Sequence, residues 1–201
     1  MSMIPDKPPF KLLDILYKKE FILFIVLVSI LIINSNISPY FLDLYNLIDS
    51  TFLFSEKAII ALTMTFVIIA RQIDLSVASI IAVSSCVLGY TTSLGYDTWL
   101  VISLTLLSGA LCGAFNGAII TKFAIPSIIV TIGTMSLFRG LAYSFLEDSY
   151  YNKFPKLVSN LGSGYLFGYI PYAFLTFLLL SLVFAFILHK TSVGKKMYSI
   201  G

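Results

Sequence analysis

Charge is what this chain of 201 residues has least of. Only 11% of its residues are Asp, Glu, Lys or Arg and 58% are hydrophobic, whereas a soluble domain carries roughly 25% charged residues. A water-soluble globular fold is therefore excluded, and an integral membrane protein is indicated. Histidine occurs once, as His189, and reads as a polar residue at a helix end. The two cysteines, Cys86 and Cys112, lie inside apolar runs without metal-ligand or redox spacing and read as small core residues. No metal site and no cofactor are expected. The net charge of +3 is too small to imply a nucleic-acid partner. No G-x-x-x-x-G-K-[ST] loop occurs, so nucleotide chemistry is expected on another subunit. Asp74 is the only acidic residue deep in the apolar block, which leaves no paired carboxylates for an intramembrane enzyme and no catalytic residues to name.

What the chain has instead is long apolar runs. FILFIVLVSILII (21 to 33) follows Lys18 and Lys19 in the manner of a signal peptide, yet no small-x-small cleavage site follows, so an uncleaved first helix is expected. The stretch 40 to 57 mixes Asp43, Asp49 and Glu56 with aromatics and reads as a segment at the membrane interface. Further runs occupy 57–70, 75–92, 98–120, 127–146 and 169–189. They are continuous rather than alternating, which excludes a β-barrel. The expected fold is an all-α polytopic transmembrane helical bundle of about six spans, with a broken or hairpin segment near residues 71–75. The expected organisation is a cytoplasmic N-terminal segment (1–19), a partial transmembrane domain (20–189) and the start of a cytoplasmic segment (190–201).

Orientation follows from basic residues at span ends. With the N-terminus inside, Lys7, Lys11, Lys18, Lys19, Arg71, Lys122, Lys190, Lys195 and Lys196 are cytoplasmic, nine of the thirteen Lys and Arg. Lys57, Lys153 and Lys156 fall outside, together with Glu147 and Asp148. Arg139 lies within the fifth span, where snorkelling to the outer interface is favoured over a ligand role.

The turns carry the chemistry. Residues 57–70 and 75–92 together exceed one ordinary span, so the chain turns or breaks at RQIDLS. Asp74 is expected to cap the helix starting near Leu75 by accepting from the N–H of Ser76 or Val77. Arg71 suits the negative end of the preceding helix dipole; either it pairs with Asp74 across the break, or it snorkels alone beside a capping Asp. Ser76 and Ser79 are placed near a substrate path. Asn116 lines that path or bonds between helices, and Thr131 and Thr134 either face it or back-bond to their own helix. Gly109, Gly113 and Gly117 recur every fourth residue and form a close-packing face. TKFAIPS (121 to 127) reads as a tight turn with proline at the next helix start, and 147 to 171 as the longest polar connection, with an aromatic belt.

Three stretches together resemble a known family: ALTMTFVIIARQIDLSVAS (61 to 79), GALCGAFNGAIITKFAIPSIIVTIGTMSLFRG (109 to 140) and TSVGKKMYSIG (191 to 201). They resemble the permease subunit of bacterial ABC importers for pentoses, hexoses and small polyols, the group that includes ribose, xylose, rhamnose and autoinducer-2 permeases. The resemblance runs from about residue 20 to the last residue and covers roughly the first three-fifths of such a subunit. The family pattern carries two glycines before the Ile-Asp-Leu/Val-Ser core and a glycine inside the following Ser-Val-Gly-Ser; Arg71, Gln72 and Ala78 stand there in this chain. An arginine at that place resembles the autoinducer-2 branch. The resemblance implies alternating access in the bacterial inner membrane, with a second, like or unlike, permease subunit, cytoplasmic ATP-binding subunits and a periplasmic sugar-binding protein as partners, beside membrane lipid. It also implies that Gly194, Lys195 and Tyr198 open a segment that couples to the ATPase and is cut at Gly201. On that reading the isolated chain is expected to insert without supporting uptake.

Two other readings compete: a secondary transporter using Arg71 and Asp74 as an ion or proton relay, and a non-functional permease fragment. The secondary transporter should show a second, inverted copy of the break, and no second Ile-Asp interruption occurs.

Overall fold

The structure, a computed structural model, describes residues 19–146 and 150–200. Lys7, Lys11, Lys18, Glu147, Asp148 and Gly201, all invoked above, lie outside the described residues. Apolar runs without internal breakers become helices: α1 (Lys19–Ile37), α2 (Leu44–Ile69), α3 (Val77–Ser93), α4 (Thr98–Phe123), α5 (Ser127–Leu146) and α7 (Tyr172–Lys190). A short helix α6 (Lys156–Ser163), a hairpin of β1 (Tyr165–Leu166) and β2 (Ile170–Pro171), and a terminal helix α8 (Ser192–Ile200) complete the described chain. The fold is all-α and polytopic. Helices α2, α4, α5 and α7 are long and apolar enough to cross a membrane, and α1 and α3 are shorter apolar helices.

One sequence expectation is corrected. The stretch 40–57 is not a separate interfacial segment: α2 starts at Leu44 and continues unbroken to Ile69 for 26 residues, about 39 Å. No proline or glycine interrupts 44–56, and Asp43 immediately precedes the first turn, its carbonyl accepting from Leu47 N–H. Within the connection 147–171, read from sequence as the longest polar one, the described residues 150–171 hold α6 and the hairpin. The turn of that hairpin has positive φ at Phe167 and Gly168, and Tyr169 N–H donates to the Leu166 carbonyl at 3.2 Å, as in a primed hairpin turn.

The chain divides into two compact units, residues 1–50 and 51–201. The first holds α1, whose large apolar side chains are mostly exposed. In the second, α3, α4 and α5 form the best-packed part. Ser76 pairs with Asn116 and Ser84 with Ser108, so α3 and α4 are antiparallel. Ile73 meets Ser127 and Cys86 meets Ala142, so α3 and α5 are parallel. Val83, Cys86, Phe138 and Ala142 form the apolar centre, flanked by Ile80, Ala82, Cys112 and Leu146, and Phe115 meets Phe138 edge-on. In the same unit α2 and α7 lie parallel, Phe54 against Phe177 and Phe66 against Phe184.

Helix ends follow local chemistry. The Asp97 carboxylate accepts the Trp99 N–H at 2.9 Å and caps α4. Ala124, in the left-handed region, ends α4, and the Pro126 carbonyl accepts the first N–H groups of α5.

Candidate functional site

The site is the break between α2 and α3. Helix α2 closes with two reversed bonds, Gln72 N–H to the Val67 carbonyl at 3.0 Å and Arg71 N–H to the Ile68 carbonyl at 2.9 Å. This is a Schellman closure, and Arg71 occupies its left-handed position with φ 55°. That position favours glycine, which explains why the resembled pattern carries glycines there; an arginine stores roughly 1–3 kcal/mol of backbone strain. Residues 72–76 then run without helical structure until α3 begins at Val77.

Backbone freed from a helix must be bonded elsewhere when water is scarce. Ile73 shows how. Its N–H donates to Ser127 Oγ at 3.1 Å, and its carbonyl accepts from Thr131 Oγ1 at 3.4 Å. One residue of the break is thus clamped on both sides by the first turn of α5. Asp74 secures the other end: its Oδ1 accepts the Ser76 N–H at 2.8 Å and the Ser76 hydroxyl at 2.7 Å. Ser76 is the N-cap of α3, its carbonyl accepting from Ser79 and Ile80 N–H. The carboxylate therefore sits two residues ahead of the cap rather than at it, close to the positive end of α3.

The Ser76 oxygen also accepts from Asn116 Nδ2 at 2.8 Å. Because the hydroxyl hydrogen is committed to Asp74, Ser76 can only accept from Asn116, which fixes the orientation of the amide. Carboxylate, hydroxyl and amide form one directed relay from the break to the middle helix. Ser76 and Ser79 are fully buried and Asn116 is 4% exposed, while Asp74 is half-buried. Two buried atoms, Asn116 Oδ1 and Ser79 Oγ, have no partner among the described residues. Such atoms cost about 1–3 kcal/mol each, so they mark where the layer is least satisfied.

Of the residues placed on a substrate path, the structure brings Asp74, Ser76, Ser79, Asn116, Thr131 and Thr134 to the junction of α3, α4 and α5. All but Asp74 are buried there. The Thr131 hydroxyl bonds both to the break and to Ile128 of its own helix, and the Thr134 hydroxyl donates to the Thr131 carbonyl.

Two other expectations change. Arg71 and Asp74 form no ion pair among the described residues, and Arg71 is exposed. Its left-handed backbone turns the chain sharply at α2's end, while Asp74 is directed back onto Ser76. The glycine row lies beside the face that meets α3: a Cβ on Gly109 would lie 3.2 Å from Ser84 Oγ, whereas Gly113 and Gly117 have no neighbour within 4 Å of that position among the described residues. The row of α4 that meets α3 is Ser108, Cys112 and Asn116. Gly109, Gly113 and Gly117 each lie one residue past that row, about 100° around the helix.

The segment 190–201 has its own geometry. The Thr191 hydroxyl donates to the Ile187 carbonyl at 2.6 Å and accepts the Gly194 N–H at 3.4 Å, ending α7 and capping α8 with one side chain. Gly194 is buried against the backbone of Leu188, whose carbonyl would collide with any Cβ. Lys195, Lys196 and Tyr198 are exposed.

Residues 46–201 match the family described as the branched-chain amino acid transport system / permease component. The chain belongs to this permease family. It is 34% identical over 185 residues to the ribose import permease protein RbsC of Haemophilus influenzae, covering 89% of this chain and 56% of that protein. It is 32% identical to the autoinducer 2 import system permease protein LsrC of Photorhabdus laumondii, covering 87% of this chain and 53% of that one. The LsrD permease of Klebsiella pneumoniae is 31% identical, with 90% and 56% covered. The chain thus spans about half the length of the curated relatives it matches. No solved structure matches it. The matched family is a membrane permease component, consistent with the membrane-length apolar helices, and the relay lies wholly within the matched residues.

Ser127, Thr191 and the packing of Gly194 were not singled out from sequence. The available signals were a serine directly after Pro126 and a threonine three residues before a glycine at the end of an apolar run.

Proposed function

We propose that this chain is a portion of the membrane subunit of an ATP-driven importer for a monosaccharide or related small polyol. The observation that carries the reading is the family match over residues 46–201, joined to a non-helical stretch set among apolar helices and held by hydroxyl, amide and carboxylate groups. Those groups suit a ligand rich in hydroxyls. In this reading rearrangement at the break exposes Ser76, Ser79, Asn116, Thr131 and Thr134 to the passing sugar, while Asp74 and Arg71 fix where the backbone turns. A second permease subunit completes the pathway, separate cytoplasmic subunits hydrolyse ATP, and a periplasmic protein delivers the sugar. Helix α8, with Lys195 and Tyr198 exposed beyond the Gly194 corner, begins the contact with the ATPase. The chain lies in the inner membrane with its N-terminus in the cytoplasm.

The secondary-transporter reading needs a charged pair at the break, and Arg71 and Asp74 are not paired among the described residues. Interrupting the gene in its source cell should abolish uptake of one monosaccharide. That uptake should persist when the proton gradient is collapsed with ATP maintained. Uptake lost on collapsing the gradient alone would favour the secondary transporter. For orientation, a reporter fused after Thr191 should be cytoplasmic and one near Asn152 periplasmic, and the reverse pattern would end the six-span arrangement.

A further inference from the structure

Away from the relay, α3, α5, Tyr151 and Phe154 line an open cavity of about 300 Å³. Its floor is small and apolar, made by Ala82, Cys86 and Ala142, and its rim carries Arg139 and Tyr151. The ring of Tyr151 lies directly over Gly89, where a Cβ would come within 2.5 Å of it, so this wall is built by a specific close approach.

Arg139 is the anomaly. It stands seven residues before the end of α5, about 10 Å inside a helix of about 30 Å. Among the described residues no carboxylate pairs with it, and no acidic residue lines the cavity. A guanidinium at that depth needs an anionic partner or a path to the headgroups. We propose that this cavity is a binding site for one phospholipid with a net negative headgroup. The phosphodiester meets Arg139 and the acyl chain lies over Ala82, Cys86 and Ala142. Arginine is suited to phosphate by its planar fork of donors. Among the described lining residues a zwitterionic headgroup would find no anion for its ammonium. A free sugar would leave most of its hydroxyls facing carbon, because the lining is chiefly apolar.

The test uses the full 201-residue chain in mild detergent, exchanged against vesicles of phosphatidylglycerol or of phosphatidylcholine, with bound lipid counted by native mass spectrometry. One phosphatidylglycerol per chain should remain after washing, at least ten-fold above phosphatidylcholine. Arg139→Gln should lower that occupancy about ten-fold, and Arg139→Lys should keep most of it. Lys153→Gln, which removes an exposed cation outside the cavity, should leave it unchanged. Ser85→Leu, which fills the cavity from an exposed lining position, should expel lipid with Arg139 intact and helix content retained by circular dichroism. Equal retention by wild type and Arg139→Gln would overturn the proposal. So would equal loss in Lys153→Gln, or displacement of the lipid by millimolar ribose.

Discussion

Two of the places where a long apolar helix ends are held by opposite means. At 71–76 the backbone leaves its helix for several residues and is secured from a distance. Ser127 and Thr131 of α5 grip Ile73, and Asn116 of α4 grips Ser76, which is bound to Asp74. At 191–194 everything is local: one threonine serves both helices, and a glycine lies against the backbone of the preceding turn. The first device depends on the relative position of three helices and yields if they shift. The second fixes the start of α8 against the end of α7 through contacts within one turn.

The local corner should be the easier to break. Gly194→Ala places a Cβ where the Leu188 carbonyl stands, and because the obstacle is backbone the cost should reach about 3 kcal/mol. Limited trypsin digestion at Lys195 and Lys196 reads it, with cleavage more than about 100-fold faster if α8 detaches. Unchanged cleavage would show that the corner is not closed.

At the break, effects should be smaller and graded. Asp74→Ala strands the Ser76 N–H and hydroxyl and should cost about 2 kcal/mol in detergent unfolding, while Asp74→Asn keeps an acceptor and should cost less. Equal losses in the two variants would mean that charge alone matters. Ser127→Ala, removing one neutral bond to Ile73, should cost about 1 kcal/mol. Arg71→Gly should act in the opposite sense, stabilising by about 0.5–1 kcal/mol as the left-handed strain is relieved. A destabilised Arg71→Gly would reveal a side-chain role that the exposed guanidinium does not show.

Much of this was legible in the residues, for reasons that differ by position. The apolar runs became helices because lipid-length hydrophobicity leaves little alternative, and Asp74 was readable as an acceptor for Ser76 because the two are neighbours in sequence. The start of α2 was misread because Asp43, Asp49 and Glu56 resemble an interface, although acidic residues do not stop a helix. Whether Arg71 pairs with Asp74 is open between two readings of the sequence, because three-residue spacing implies proximity only in a helix, and the chain between them is not helical. The clamp on Ile73 was invisible, since it joins residues 54 and 58 positions apart. The face of α4 that meets α3 needed α3's position, which no glycine spacing supplies.

The central claim is that the break is held through Asp74, Ser76 and Asn116 and not through Arg71. Two double-mutant cycles in the full chain test it, both read by unfolding in the same detergent: Asp74→Ala with Asn116→Ala, and Asp74→Ala with Arg71→Gln. Members of one hydrogen-bonded network should be non-additive, so the first cycle should show a coupling of about 1 kcal/mol, while the second should be additive within about 0.5 kcal/mol. An additive first cycle with a coupled second would contradict the relay and restore the charge pair.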